Sequence, residues 1–188
     1  MGTTDTVVLP EFKSFEPIPR LMRDVIVTEK IDGTNAQVHI IEDGQVFAGS
    51  RNRWVTPESD NFGFGRWVYE RKELLLQHLG IGTHYGEWWG SGIQRGYGLK
   101  NGEKRFSLFN TSRWAEKTDF PEGISTVPLL GIRTFSTDWI EEVMYDLFAG
   151  GSKAAPGFMQ PEGIVVYHPK SKALFKYTLD GDGHKGAK

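Results

Sequence analysis

Val25-Ile26-Val27-Thr28-Glu29-Lys30-Ile31-Asp32-Gly33-Thr34-Asn35 begins as a strand and ends as a turn. Val25 to Thr28 are all β-branched, which suits a pleated, half-buried strand. Asp32-Gly33 then breaks the run, because Asp bonds its own backbone and Gly tolerates turn conformations. A lysine therefore closes a strand at the point where the chain reverses. A second strand is expected over 36–41. Read alone, Lys-x-Asp-Gly has one free position and also suits a solvated lysine before a turn.

Outward from this stretch, Asp43-Gly44 predicts a tight hairpin into a strand over 45–49. Segment 10–20 holds three prolines and reads as an extended lead-in. Over 66–79 the apolar Trp67, Leu74, Leu75 and Leu79 have helical spacing, and Gly80 caps the end. Strands are expected over 84–89, 105–110 and 127–133. A helix follows to about residue 149, capped by Thr137 or Asp138, with Glu141 and Glu142 in its first turn. A last strand pair, 163–168 and 173–178, flanks Pro169-Lys170-Ser171. The Gly-rich stretch 90–96 reads as a flexible loop, and 180–188 as a loose tail. Many strands and few helices, without strict alternation, give an α+β class with two antiparallel sheets and flanking helices.

The 188 residues carry 22 Lys+Arg and 24 Asp+Glu, a net charge of −2, and no cysteine. A disulfide scaffold, a Cys-type zinc site and a thiol nucleophile are thereby excluded. No run of 18 apolar residues occurs, and the start lacks the parts of a signal peptide, so a cytoplasmic location is expected. Met1-Gly2 fits the loose acylation pattern, a match short enough to arise by chance. There is no P-loop, no Gly-x-Ser-x-Gly elbow and no zinc-like histidine spacing.

Glu29-Lys30-Ile31-Asp32-Gly33-Thr34-Asn35 resembles motif I of the covalent nucleotidyltransferases, most closely the phage and RNA-editing type of ATP-dependent RNA ligase. Further segments follow in the family's order. Ser50-Arg51-Asn52-Arg53 resembles the Ser-Arg segment after motif I. Tyr85-Gly86-Glu87-Trp88 resembles motif III, and Phe106-Ser107-Leu108-Phe109-Asn110 motif IIIa. Pro161-Glu162-Gly163-Ile164-Val165 resembles motif IV, and Leu174-Phe175-Lys176-Tyr177-Thr178 motif V. The family's motif V usually carries Lys-x-Lys; here Thr178 follows Lys176 and Leu174 precedes it.

The resemblance implies a nucleotidyltransferase (ATP-grasp-like ligase adenylation) domain in which Lys30 takes AMP from ATP. An exposed lysine titrates at about 10.4, so the amine must be freed by a nearby cation or by desolvation. Lys176 and a Mg²⁺ or Mn²⁺ ion are the candidate cations, aimed also at the α-phosphate. Glu162 is the expected metal ligand and Glu87 the ribose contact. Phe109 is expected to stack on adenine. Glu29 is expected to accept from the adenine amine, which would favour ATP over GTP. Arg51, with Arg53 second, is the expected phosphate or ribose contact. Gly33 and Asn35 complete the cofactor side, with Asn35 near the nucleic-acid end. Asp32 is assigned to orienting the turn or assisting the later steps.

By resemblance, AMP passes from Lys30 to a 5′-phosphate end, and a 3′-hydroxyl then seals the strand, RNA being favoured. Basic stretches at 95–117 and 170–188 against an acidic helix suit phosphate docking. Trp88 and Trp89 suit either base stacking or the core. About ten residues follow motif V, which leads to the expectation of one domain over 1–188 without a C-terminal OB-fold or helical domain. A protein partner supplying a substrate clamp is the corollary. The rivals are a DNA ligase, a capping-type guanylyltransferase, and a non-catalytic nucleic-acid-binding module that retained the fold.

Overall fold

The computed structural model describes residues 10–178. The Met1-Gly2 match and the 180–188 tail lie outside them. The chain enters through 10–23 without regular structure, as the prolines predict. It then forms β1 (Asp24–Lys30), β2 (Thr34–Ile40), β3 (Val46–Ser50) and β4 (Trp54–Val55). Two helices follow, α1 (Phe64–Glu70) and α2 (Lys72–Leu79), and then β5 (Gly82–Gly90), β6 (Lys104–Leu108) and β7 (Ile124–Thr126). The rest is β8 (Leu129–Thr134), α3 (Thr137–Gly150), β9 (Gly163–His168) and β10 (Ala173–Thr178).

Two sheets result, a four-stranded one in the order β10-β9-β1-β8 and a six-stranded one in the order β4-β3-β2-β5-β6-β7. Strand alternation explains how each finds its core. Val25 and Val27 of β1, with Ile164 and Val166 of β9, bury one face of the small sheet against Ile140, Met144 and Leu147 of α3. In the large sheet Ala36, Val38, Ala48, Trp88, Phe106 and Leu108 share a face that packs on Phe64, Val68, Leu75 and Leu79 of α1 and α2. A third cluster of Ile31, Trp89, Tyr97, Val127 and Ala155 completes the core. Trp88 and Trp89 are 2% and 1% exposed, so both belong to the core and not to a stacking surface.

Three expectations are corrected. The helix expected over 66–79 is broken at Arg71 (φ −120°, ψ 19°). There the Arg71 amide donates to the Val68 carbonyl, and its guanidinium reaches the Trp67 carbonyl that a continuing helix would have used. The strand expected over 127–133 begins only after Pro128, which has no N–H to donate, and is β8. A short strand that was not expected, β7, precedes it and pairs with β6 in parallel, so the large sheet is not wholly antiparallel. The cap of α3 is Ser136, whose hydroxyl accepts from the Trp139 amide, and Asp138 is the acid in the first turn. Among the described residues no helix is long and apolar enough to cross a membrane.

Candidate functional site

β1 lies in the small sheet and β2 in the large one, so Ile31-Asp32-Gly33 is a crossing between sheets. Lys30 stands at its start, paired with Gly163 of β9. Glu162, one residue before β9, is thereby placed beside it, and Lys30 Nζ lies 2.6 Å from Glu162 Oε2. Both side chains are partly buried, at 25% and 15% exposure. The contact holds the amine in place against a carboxylate.

Lys176 joins the same face. Thr28 pairs with Val165, and Val165 with Lys176. Directly paired residues point to one side of a sheet, so Lys176 shares the face of Thr28 and Lys30. Its Cα lies about 12 Å from that of Lys30, from two strand spacings and two residue rises. Two extended lysines can converge on one phosphate group from there. Phe175 and Tyr177 take the opposite face, where the Tyr177 hydroxyl donates to Glu141 of α3.

The crossing is held from the large sheet. A Cβ on Gly33 would run into the Trp88 carbonyl oxygen and fall 2.8 Å from Trp89 Cβ, so only glycine fits. The Gly33 amide donates to Glu87 Oε1 at 3.1 Å, and Asn35 Nδ2 to Glu87 Oε2 at 3.3 Å. Gly33 thus shapes the site, its donor already engaged. Glu87 is 8% exposed. Burial pushes its carboxyl up to about 7, partly offset by the Lys30 ammonium.

Asp32 accepts from Arg95 Nε at 3.1 Å, and its amide donates to the Tyr97 hydroxyl at 2.8 Å. Arg95 also donates to the Gln160 carbonyl, two residues before Glu162. It therefore ties the Lys30 segment to the Glu162 segment. The 90–96 stretch is not a flexible loop: Ile93 is fully buried and Tyr97 2% exposed. Positive φ at Gly90, Gly92, Gln94, Gly96 and Tyr97 winds it tightly beneath the crossing. Sequence reasoning missed Arg95 and Tyr97; the density of glycines around them was the available signal.

Glu29 is the clearest correction. Neighbours in a strand face opposite ways, so with Lys30 in the site Glu29 points toward α3. It is 1% exposed and accepts from the Ser152 hydroxyl (2.6 Å) and from the Lys153 and Ala154 amides (2.8 and 3.0 Å). Its carboxylate anchors the loop after α3, on the face of β1 opposite Lys30. Arg53 is likewise structural, its guanidinium holding the Ser59 and Asp60 carbonyls. Arg51 is exposed just after β3, in register beside Asn35, since Ser50 pairs with Ala36. Phe109, 41% exposed, continues β6 by one residue, its amide donating to the Tyr85 carbonyl. Arg51, Asn35, Glu87 and Phe109 thus border one end of the large sheet, and Lys30, Lys176 and Glu162 the small one.

Among the described residues no group of three or more His, Asp or Glu could hold a metal by itself. A single carboxylate such as Glu162 suits a hydrated Mg²⁺ or Mn²⁺ that takes its other ligands from water and phosphate.

The family model described as RNA ligase matches residues 23–178. No curated protein matches the chain. Among solved structures, an apo mutant of a Naegleria gruberi RNA ligase superposes with TM-score 0.60 at 20% identity, over 85% of this chain and 50% of that one. A mutant Naegleria gruberi RNA ligase with AMP and Mn gives 0.58 at 21% identity, over 85% and 51%. Another with ATP and Mn gives 0.58 at 21%, over 85% and 50%. At that identity the likeness is one of fold. The chain spans about half the length of these structures.

Proposed function

The chain belongs to the RNA ligase family, and from that premise we propose that it is an ATP-dependent RNA ligase whose nucleotidyltransferase domain carries AMP on Lys30. The observation behind this reading is the 2.6 Å pairing of Lys30 with Glu162 across 132 residues of sequence, in a partly buried site. The complexes of similar ligases with ATP or AMP and Mn support the choice of nucleotide and of a divalent cation.

In the first step the neutral Lys30 amine attacks the α-phosphorus of ATP. An N–P bond forms, the bond to pyrophosphate breaks, and the amine loses its proton. Lys176 faces the same space and offsets the charge that gathers on the α-phosphate oxygens. A bound Mg²⁺ or Mn²⁺, held by Glu162 and phosphate oxygens, would supply further positive charge there. Phe109 offers its exposed ring to adenine, and Glu87 accepts from a ribose hydroxyl while holding the Gly33 turn. Arg51 meets phosphate or ribose at the edge. Asp32, fixed by Arg95 and Tyr97, keeps Lys30 aimed across the gap between sheets.

In the second step an oxygen of an RNA 5′-phosphate attacks the AMP phosphorus and Lys30 leaves. In the third a 3′-hydroxyl attacks the 5′-phosphorus, a phosphodiester forms and AMP departs. The test is incubation with α-labelled ATP and Mg²⁺ or Mn²⁺, followed by a denaturing gel. Wild type should retain label and Lys30→Ala should not, at unchanged thermal melting. A label from GTP alone, or one that survives Lys30→Ala, overturns the reading.

A further inference from the structure

The face of the large sheet that carries Glu87 also carries an open row of aromatic side chains. Trp54 pairs with Gly49, Gly49 with Gln37, and Gln37 with Tyr85. The Phe109 amide bonds the Tyr85 carbonyl and extends that row onto β6. Trp54, Tyr85 and Phe109 are 56%, 60% and 41% exposed. His39 and Phe47 pair in the next row and brace Trp54, with ring centroids at 5.8 and 6.0 Å from it. Gly49 leaves the space that the Gln37 side chain fills.

Large aromatic rings left open on a sheet face mark a surface built to be covered. Its charge suggests by what. On the strand positions of this face the one carboxylate among the described residues is Glu87, which is buried, while Arg105 lies on it and Arg51 borders it. Open aromatic rings bordered by the Arg51 guanidinium, with Arg105 paired to Glu103 at 2.6 Å, suit a strand that bears flat bases on a phosphate backbone. Tyr85 and Trp54 stand about 14 Å apart, three strand spacings. That spans about four rises of a stacked strand at about 3.4 Å each, and fewer where bases splay onto side chains. The row runs from the Phe109 edge of the site through Tyr85 and, past the Gln37 side chain, to Trp54.

We propose that Tyr85 and Trp54 form a stacking platform for unpaired bases of the RNA strand beside the ligation site, an assignment that rests on the RNA ligase reading above. A duplex keeps its base faces covered, so the platform selects single-stranded ends.

The test is equilibrium anisotropy with a fluorescent 12-nucleotide single-stranded RNA, an abasic strand of the same length, and a blunt RNA duplex, without ATP. Trp54→Ala and Tyr85→Ala should each weaken binding of the single strand about 5- to 160-fold, the range that one stacked base supplies. Trp54→Phe should retain most of the affinity. Removing the bases should weaken wild type more than Trp54→Ala, which keeps only Tyr85, and should leave the Trp54→Ala/Tyr85→Ala double variant almost unaffected. Single-stranded RNA should quench tryptophan emission of wild type more than that of Trp54→Phe, which covers the case of a poorly folded alanine variant. Equal binding of abasic and normal strands by wild type, or of duplex and single strand, overturns the proposal. The Lys30 label, measured in the same preparations, reports on the ligase reading separately: a platform can fail in a chain that still labels.

Discussion

Replacing Glu87 by glutamine removes a charge that the fold resists. The Glu87 carboxyl sits at about 7 in the folded chain against an ordinary 4.5. The cause is burial, opposed by Lys30 and by the Gly33 amide. A carboxyl raised in this way binds its proton more tightly folded than unfolded. Its contribution is therefore complete below about pH 4.5 and is lost as pH rises to about 7. Each pH unit of that gap is worth about 1.4 kcal/mol, so wild type gives up about 3 kcal/mol across the interval. Glu87→Gln mimics the protonated form and keeps an oxygen to accept from Gly33. Urea denaturation of both proteins at half-unit steps from pH 4.5 to 8 isolates the effect, because every other titrating group is common to both. The stability difference should move toward the variant by about 3 kcal/mol between the ends of the series. A difference that stays constant with pH refutes the account of a buried, proton-holding Glu87.

Gly33→Ala should cost about 1–3 kcal/mol or more in urea denaturation, because its Cβ meets the Trp88 backbone and not a movable side-chain end; unchanged stability would mean that the crossing is looser than described. Glu29→Ala should destabilise by about 1–3 kcal/mol for each donor left without a partner in the buried loop, while the preference for ATP over GTP in the labelling gel stays as in wild type. A variant that melts normally and accepts GTP would return Glu29 to the nucleotide. Arg95→Ala loses charge-assisted bonds worth about 1.5–3 kcal/mol, and should slow covalent labelling at least tenfold at saturating ATP with little change in secondary structure by circular dichroism. Labelling at the wild-type rate would show that Lys30 and Glu162 hold their geometry without it.

Legibility followed the range of the forces involved. The pair 163–168 and 173–178 was readable to the residue, because its β-branched and aromatic runs and its Pro169 turn are local signals. Lys30, Glu87, Glu162 and Lys176 could be singled out because the segments around them resemble the family's motifs in order. The misreading of Glu29 had a local remedy: two consecutive strand residues cannot both face one pocket. Arg95 and Tyr97 were hidden because their roles arise from a backbone wound through positive φ, where residue order says little about direction. The row from Trp54 to Phe109 depends on the register of five strands, which no stretch of sequence carries alone. The break at Arg71 hangs on the exchange of one backbone hydrogen bond for another.

The crossing at Ile31-Asp32-Gly33 has a counterpart at Val127-Pro128, where the chain returns from the large sheet to the small one. The whole large sheet is thus an insertion between β1 and the strands that flank it. During synthesis the first 126 residues can complete the large sheet, its helices and the Glu87 anchor, while β1 still waits for both neighbours. Glu162 and Lys176 are made after all of it, and the Lys30–Glu162 contact closes 132 residues of sequence. Lys30 is therefore made early and meets Glu162 only when the hairpin of β9 and β10 docks. On the reading proposed above, adenylation would report on the assembly of the small sheet.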